Sequence, residues 1–442
     1  MPLTPSLSVF RHRAYLQYWI MRQLMTAGRQ IRAVAIGWQV YDLARLDKSV
    51  EESALILGFV GLAQFLPVLL LSLVGGQAAD RYDRKAIMMA CNVTALLANL
   101  LLIATPFLTP DAAMPLIFLA AAILGGVNAF FPAAGNALYP SLVPRSELSQ
   151  AIAWNSLGFQ IFAVAGPALG GFLYIGGAST VYAVCAALSV LALIVNTLIK
   201  APKQAPVINA NGVQMTIEGL KFVLANKVVF GAILLDLVVV FFGGATALLP
   251  VFARDILHVG AGGLGLLRAA PAAGAAVVAF ALAARPLLRA AGPFMLWAVA
   301  IYGAATLVFA GSTMFWLSMA ALAVSGAADM ISVYVRQSLI QFQTPDAMRG
   351  RVSAVSFIFI SASNELGEFE SGVAARFLGP VGAVILGGTV AIATAVAWTR
   401  FFPALAKADR LGEITETLAQ DPERIEPRLE PAKPSESSRP PS

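Results

Sequence analysis

GGQAADRYDRK, at residues 75–85, is a compact charged turn between two long apolar runs, 53–74 and 86–107. Each run is long enough to cross a bilayer as a helix, which takes about 20 residues. Charged side chains are costly inside the bilayer, so they collect where such helices end. The pattern predicts two membrane-spanning helices joined by a short polar turn at the membrane surface.

The composition of the whole chain extends this prediction. Of 442 residues, 58% are hydrophobic and 12% are charged, and the mean hydropathy is +0.77. An ordinary soluble domain carries about 25% charged residues. We predict an all-α membrane protein with twelve transmembrane helices. The predicted spans are 15–41, 53–74, 86–107, 114–138, 147–175, 181–199, 228–250, 263–284, 292–310, 314–341, 352–376 and 381–402.

Lysine and arginine residues between the spans indicate how the chain is oriented. Cytoplasmic connections of membrane proteins are enriched in these residues. Connections on the side of the termini carry fourteen of them before the C-terminal tail, whereas the opposite connections carry Arg45, Lys48 and Arg254. We therefore expect both termini in the cytoplasm. The net charge of +6 is explained by this topology, and no basic patch with interleaved aromatic residues suggests a nucleic-acid partner.

An internal repeat relates the first six spans to the last six. A shift of 204 residues places Gly61, Pro67 and Arg81 over Gly265, Pro271 and Arg285, and a shift of 201 places Gly125 over Gly326. We predict two six-helix pseudo-repeat halves, at 1–199 and 228–403. Residues 200–227 are predicted to form a cytoplasmic linker with an amphipathic helix, and residues 404–442 a disordered cytoplasmic tail.

Two repeated halves with a polar site between them are typical of secondary transporters that work by alternating access. The turn at 75–85 resembles the loop signature of the major facilitator superfamily, with Asp83 where the family usually has glycine. In that family the turn latches the cytoplasmic gate. The alternative is that this short basic turn only anchors the topology. The matching residues, predicted to form a cytoplasmic gate, are Gly76, Asp80, Arg81, Arg84 and Lys85.

A more specific resemblance covers about residues 10–405. It rests on GWQVYDL, LGFVGLAQFLP, LVPRSELSQAIAWNS, LLPVFARDIL, TPDAMRGRVSAV and SNELGEFESG. These stretches resemble the branch of the superfamily that contains the bacterial enterobactin exporter. The resemblance implies export of a siderophore-like, drug-like or amphipathic small molecule across a bacterial inner membrane, in exchange for protons. An importer of the same fold and a non-transporting sensor on a transporter scaffold remain the alternatives.

GPALGG in the fifth predicted span matches part of a motif associated with antiporters. Its residues are Gly166, Pro167, Gly170 and Gly171, and Phe162 stands where the motif usually has glycine. Proline bends a helix, and closely spaced glycines let two backbones approach. The motif therefore predicts a hinge or a sealed contact, with ordinary tight helix packing as the alternative.

Charged residues inside the predicted spans are the candidates for proton coupling. Glu365 and Glu368 are three residues apart, so they share one face of their helix. Both histidines, His12 and His258, lie in connections, so coupling must depend on carboxyl groups. We predict coupling by Glu365, then Glu368 and Asp329. The alternative is that this cluster is a polar clasp between helices.

Other polar residues of the spans are candidates for a substrate cavity. Arginines of the first span share a face, and Asp236 is a candidate partner for one of them, unless it forms a structural ion pair. A cavity with arginines and carboxylates suits an anionic or amphipathic substrate. The predicted cavity residues are Arg29, Arg32, Gln39, Asn128, Gln160, Asp236, Arg336 and Asn364.

Enzyme chemistry has no support in the sequence. No HExxH, GxSxG, P-loop or cysteine–histidine metal spacing occurs, and Cys91 and Cys185 both lie inside spans. We expect no metal and no cofactor. The expected partners are a small-molecule substrate, protons and the lipid bilayer, and the expected oligomeric state is a monomer.

Overall fold

The computed structural model describes residues 7–201, 212–285, 291–345 and 348–406, which form helices and contain no strand. Apolar runs of about 20 residues satisfy their backbone hydrogen bonds internally when they are helical, as a membrane requires. The main helices are α1 (Arg13–Ala44), α2 (Val50–Arg81), α3 (Arg84–Ala104), α4 (Pro110–Leu138), α5 (Leu148–Leu173), α6 (Ala178–Leu198), α7 (Gly212–Ala225), α8 (Lys227–Phe242), α9 (Ala261–Ala284), α10 (Ala291–Gly311), α11 (Phe315–Gln343) and α12 (Arg349–Phe401).

Ten helical stretches of the described chain are long and apolar enough to cross a membrane. The last of them, Ala362–Phe401, includes the break in α12 at Gly379. The chain is therefore a multi-pass membrane protein.

Polar side chains at the turns determine where several helices begin. Ser49 accepts a hydrogen bond from the backbone nitrogen of Glu52, whose side chain accepts one in return, so α2 starts with a capping box. Asp83 caps α3 through the nitrogen of Lys85. The charged turn at 75–85 is thus the end of α2 and the capped start of α3.

The helix predicted at 228–250 is shorter than expected. α8 ends at Phe242, and a 3₁₀ turn, Ala245–Leu248, follows. Gly243 and Gly244 weaken the helix, because glycine costs about 1 kcal/mol relative to alanine in a helix. A Cβ on Gly244 would lie 2.4 Å from the carbonyl oxygen of Gly367, so α12 leaves no room for a larger residue.

The last two predicted spans form the two arms of α12. Gly379 interrupts them with a φ of 72°, which glycine tolerates, and Pro380 starts the second arm. The two arms are therefore joined at a kink, without a separate loop.

The helices before and after α7 form two groups, which we call the N-terminal group (α1–α6) and the C-terminal group (α8–α12). The repeat reappears in their packing. A Cβ on Gly125 of α4 would lie 2.2 Å from the carbonyl oxygen of Gln64 in α2. A Cβ on Gly326 of α11 would lie 2.0 Å from that of Pro271 in α9. Small residues bring the equivalent helix pairs together in both groups.

We name the two ends of the helix bundle, the near end and the far end, by the loops that each contains. The near end contains the turn at 82–83 and the start of α12, and the far end contains the loops at 45–49 and 257–260. At the near end, α7 packs on the C-terminal group, with Val223 buried in an apolar cluster and Glu218 paired with Arg351. Residues 202–211 of the predicted linker and residues 407–442 of the predicted tail lie outside the described residues.

Candidate functional site

A cavity of about 250 Å³ lies between the two groups of helices, and we call it the arginine cavity. α1 contributes Arg29 and Arg32, α9 contributes Arg268, and α12 contributes Glu368. Its lining also includes the neutral polar residues Gln30, Gln64 and Asn128, and apolar residues of both groups.

Arg32 is held in place from the N-terminal group. Its side chain is 9% exposed and donates a hydrogen bond to Asn99 Oδ1 at 3.0 Å, while Asn99 donates to Ser189 Oγ at 3.0 Å. No carboxylate of the described residues forms an ion pair with Arg32. Arg29 lies 5.9 Å from the centre of the Phe159 ring, within cation–π distance.

Arg268 connects the two groups, and the sequence argument did not select it. It donates from α9 to the carbonyl oxygen of Ala33 in α1 at 3.3 Å. The repeat contained a signal for it, because the 204-residue shift places Gln64 over Arg268, and both line the arginine cavity. Cavity-lining residues of this kind can be sought by looking for a single arginine in an apolar span whose equivalent position in the other repeat is also polar.

A second cavity, of about 190 Å³, lies among the helices of the C-terminal group. We call it the carboxylate cavity, because Asp329 and Glu368 line it together with Asn364 and Tyr302. Glu368 borders both cavities. Its carboxyl group is therefore the one charged group of the described lining residues that the two cavities share.

The predicted coupling residue Glu365 lies on α12, but its side chain is outside the described residues. The predicted cavity residues Asn128 and Asn364 line a cavity, and so does Asp329, which was predicted to take part in proton coupling. The 201-residue shift places Asn128 over Asp329, so one repeat-related position faces the arginine cavity and its equivalent faces the carboxylate cavity.

Two glutamines predicted in the cavity line neither of these cavities. Gln39 is buried and bonds to Thr105 and to the hydroxyl of Tyr182, at 3.0 and 2.7 Å, inside the N-terminal group. Gln160 donates to the carbonyl oxygen of Ala272 at 3.2 Å and so connects α5 to α9. Their hydrogen-bonding groups are used in helix packing, which the sequence could not distinguish from ligand contact.

The expectation that Asp236 pairs with an arginine of α1 was wrong. Asp236 of α8 forms an ion pair with Arg336 of α11, and both side chains are buried within the C-terminal group. Neither residue lines the arginine cavity or the carboxylate cavity. The pair satisfies two charges that could not face lipid, which is the structural alternative to a cavity role.

Arg22, on the same face of α1 as Arg29, also lies outside the cavities. It donates to the Tyr18 hydroxyl at 2.7 Å and to Asn136 at 3.2 Å, near the near end.

At the far end, charged residues connect the two groups in a set of contacts that we call the far-end clasp. Arg254 pairs with Asp42 at 2.5 Å, and Arg45 pairs with Asp255 at 3.6 Å. Tyr41 donates its hydroxyl hydrogen to Asp255. Each group thus contributes one arginine and one aspartate. A π-helical turn, Phe252–Ile256, presents Arg254 and Asp255, and Glu52 pairs with Arg376 beside them at 3.4 Å.

The glycines of GPALGG form a close contact at the same end. A Cβ on Gly171 would lie 2.4 Å from the carbonyl oxygen of Ala261 and 2.9 Å from Cα of Gly265, both in α9. A Cβ on Gly170 would lie 2.6 Å from the carbonyl oxygen of Ile31 in α1, and Gly166 packs on Gln30. Of the predicted alternatives, the geometry in this conformation fits a sealed contact. α2 and α12 meet equally closely at Gly58 and Gly372.

The predicted gate residues of the near end make contacts within the N-terminal group. Lys85 donates to the carbonyl oxygens of Thr197 and Ile199 at the end of α6, at 2.9 and 2.7 Å, where a cation is favoured. Arg84 is buried, whereas Asp80 and Arg81 have no hydrogen bond or ion pair to any described residue. A Cβ on Gly76 would meet nothing within 4 Å.

This arrangement can be compared with known proteins. The sequence model of the transmembrane secretion effector family of the major facilitator superfamily matches residues 4–427. The chain belongs to this family. Members of the superfamily are transporters, so this chain is a transporter and not an enzyme.

Curated relatives at the sequence level include enterobactin exporters. The chain is 28% identical over 396 residues to the enterobactin exporter EntS of Escherichia coli, which covers 87% of this chain and 87% of that protein. The same values hold for EntS of Citrobacter koseri.

Solved structures show the same fold at much lower sequence identity. A POT family transporter has a TM-score of 0.70 at 12% identity, covering 89% of this chain and 97% of that one. The inward-open xylose transporter XylE from E. coli gives 0.67 at 12%, covering 93% and 99%. An inward-facing bacterial homologue of the iron transporter ferroportin gives 0.65 at 15%, covering 87% and 98%.

Proposed function

We propose that this transporter exports a small molecule across a bacterial inner membrane by alternating access, in exchange for protons. The observation that carries the proposal is the position of Glu368, which borders a cavity between the two groups of helices and a second cavity inside the C-terminal group. Its carboxyl group can respond both to a substrate and to a proton. The similarity to enterobactin exporters supports the outward direction.

The proposed architecture has twelve spans in two six-helix halves. It adds α1 to the ten apolar stretches and counts the arms of α12 before and after Gly379 separately. α1 contains Arg22, Arg29 and Arg32, which a cavity-lining helix can accommodate because such residues face the bundle interior. The excess of Lys and Arg in the near-end connections supports a cytoplasmic near end with both termini.

The proposed resting conformation is open toward the cytoplasm. The ion pairs that join the two groups within the described residues, Asp42–Arg254, Arg45–Asp255 and Glu52–Arg376, lie at the far end. The glycine contacts of α5 with α9 close the same end. Export then requires these contacts to open while the near-end turn engages its latch.

Proton exchange is proposed to work through competition at Glu368. In an exchanger, the proton and the substrate bind to the transporter in turn, so binding of one must displace the other. An ionised Glu368 attracts a hydrogen-bond donor or cation on the substrate, and protonation removes that attraction. Asp329, which lines the carboxylate cavity, is proposed to contribute to this exchange. Glu365 is proposed to contribute as well, because it lies on α12 three residues before Glu368.

The test uses purified full-length protein in liposomes that hold a pH-sensitive dye, with an imposed pH gradient. Siderophores, cationic drugs, amphipathic acids and zwitterions are added in turn, and proton flux and substrate accumulation are recorded. We expect one class to drive proton flux in the wild type. Glu368→Gln should reduce gradient-driven accumulation at least tenfold, because the proton site is lost. Substrate exchange at equal, saturating concentrations should persist with a weaker apparent affinity, because glutamine no longer attracts a cationic group.

The matched control is Glu370→Gln, two residues along α12, because Glu370 lines neither cavity. Equal accumulation by Glu368→Gln and the wild type would reject the coupling role. Folded protein that shows no proton flux with any compound would favour a sensor. Accumulation of substrate on the side to which protons flow would indicate an importer.

A further inference from the structure

The two cavities that meet at Glu368 carry opposite charges. Arg29, Arg32 and Arg268 line the arginine cavity, and Glu368 is the acidic residue of its described lining. Asp329 and Glu368 line the carboxylate cavity, whose described lining contains no lysine or arginine. Among the described lining residues, charge is therefore separated: it is mainly positive between the two groups of helices and negative within the C-terminal group.

The basic side is prepared for an anion. Arg32 is buried and donates to the neutral amide of Asn99, and no carboxylate of the described residues forms an ion pair with it. A buried guanidinium in this state is costly, and it favours any anion that enters the cavity. Planar guanidinium groups bind carboxylate, sulfonate or phosphate with two parallel hydrogen bonds.

The acidic side is prepared for a donor or a cation. Tyr302 directs its hydroxyl hydrogen to the carbonyl oxygen of Gly243 at 3.0 Å, and Asn364 donates to the carbonyl oxygen of Ile360 at 2.9 Å. Arg268 lines the arginine cavity together with Glu368, but no described lysine or arginine lines the carboxylate cavity. The Tyr302 hydroxyl hydrogen and one of the two amide hydrogens of Asn364 are already used by the backbone, so they do not satisfy the carboxylates of Asp329 and Glu368. An ammonium group or a similar donor on a ligand would satisfy them.

We propose that the substrate is dipolar, with an anionic group bound in the arginine cavity and a cationic or strongly donating group bound at Glu368 and Asp329. This inference rests on the proposed function and names its substrate class. It also explains the direction of coupling. A purely anionic substrate would bind better when Glu368 is protonated, which opposes exchange, whereas a cationic group competes with the proton for the same carboxylates.

The experiment measures binding to purified full-length protein in lipid nanodiscs with three fluorescent probes that share a dansyl group. They are dansylcadaverine, which is cationic, dansylglycine, which is anionic, and Nε-dansyl-lysine, which carries both charges. Binding is followed by fluorescence anisotropy at two pH values. We expect the dipolar probe to bind about tenfold more tightly than either other probe, since each charge-assisted contact adds on the order of a factor of ten.

Substitutions separate the two sides of the site. Arg268→Gln should lower the affinity of the dipolar probe to that of the cationic probe, and Asp329→Asn should lower it to that of the anionic probe. Acidification should weaken binding of the dipolar probe to the wild type and have less effect on Glu368→Gln. The matched control is Arg22→Gln, because Arg22 is on the same face of α1 but lines neither cavity.

Three results would overturn the proposal. A probe with a single charge could bind as tightly as the dipolar probe, or binding of the dipolar probe could be insensitive to both Arg268→Gln and Asp329→Asn. The third such result is that none of the three probes binds. The liposome assay separates this failure from failure of the proposed function. Proton-coupled export of a singly charged compound would reject the dipolar substrate and retain the exporter. Preferential binding of the dipolar probe without transport would retain the dipolar ligand and reject the exporter.

Discussion

At the residue scale, ion pairing and contact with a cavity distinguish charges that hold the protein together from charges that are proposed to act in transport. Asp236 and Arg336 are both buried and pair with each other, whereas Glu368, Asp329 and Arg32 border cavities. A buried ion pair contributes little net stability, but loss of one partner leaves a buried charge uncompensated. The two classes of charge therefore respond differently to substitution.

Asp236→Asn should destabilise the protein, because Arg336 would remain buried without its carboxylate. The expected loss is about 3–5 kcal/mol. The double variant Asp236→Leu, Arg336→Met should recover most of this loss, since apolar residues pack in place of both charges. A thiol-reactive dye measures thermal unfolding, because Cys91 and Cys185 are buried in the native protein. A double variant no more stable than Asp236→Asn would contradict this account.

The far-end clasp permits a charge-reversal test. Arg254→Asp would place a carboxylate near Asp42 and so repel the two groups of helices, whereas the double variant Asp42→Arg, Arg254→Asp should restore the attraction. The effect is modest, about 0.2–1 kcal/mol for a pair this exposed. Spin labels at Ile175 and Met314, both exposed at the far end, report the separation. An unchanged distance distribution in Arg254→Asp would mean that the pair does not hold this end closed.

At the element scale, glycine positions determine which helices can touch. α5 and α9 approach at Gly171 and Gly265, and α2 and α12 approach at Gly58 and Gly372. Each of these pairs joins one group of helices to the other near the far end. α8 is interrupted at Gly243–Gly244, where α12 lies too close for side chains, and the chain continues into the π-helical turn that carries the clasp residues.

Gly171→Ala should prevent full closure of the far end. Its Cβ would lie 2.4 Å from the carbonyl oxygen of Ala261, a backbone atom that cannot move aside cheaply. Overpacking of this kind costs about 1–3 kcal/mol and should shift the conformational equilibrium by roughly one order of magnitude. The readouts are the far-end label distance and the transport rate.

The matched control for this prediction is Gly262→Ala in α9, where a Cβ meets nothing within 4 Å. Transport by Gly171→Ala at the wild-type rate, with an unchanged label distance, would show that the sealed contact has no part in the cycle.

At the scale of the whole molecule, the structure corresponds to one state of the proposed transport cycle. The far end is joined by ion pairs and close helix contacts, while Asp80 and Arg81 at the near end have no ion pair or hydrogen bond in the described structure. A latch that acts only when the near end is closed is expected to be disengaged when the far end is closed. The two ends are therefore expected to open and close in alternation.

Asp80→Asn should destabilise the state in which the near end is closed, because the latch would lose its charge. We expect transport to slow severalfold while substrate binding changes little, and the near end to remain open more of the time. Labels at Ser146 and Phe342, both exposed near this end, report the distance in the presence of substrate and a proton gradient. If the near end of this variant closes as often as that of the wild type, the turn at 75–85 only anchors the topology.

Much of this organisation could be predicted from the sequence, because hydropathy and turn chemistry act locally. The apolar runs, the capped turn at 83–85 and the repeat are all visible in the order of residues. Asn128 and Asp329, at equivalent positions of the repeat, each line a cavity. Pairing could not be predicted in the same way. Gln39 satisfies its amide inside the N-terminal group, and Arg268 reaches Ala33 across the two groups.

The sequence by itself determined a multi-pass helical membrane protein with a charged turn after α2 and ionisable groups inside its spans. These features follow from the free energy of placing each residue in lipid or water. Only the tertiary structure decided that Asp236 pairs with Arg336, that Glu368 borders both cavities, and that Arg254 and Asp255 meet Asp42 and Arg45. Such partners depend on which helices become neighbours and on how each is rotated, and these follow from packing throughout the bundle.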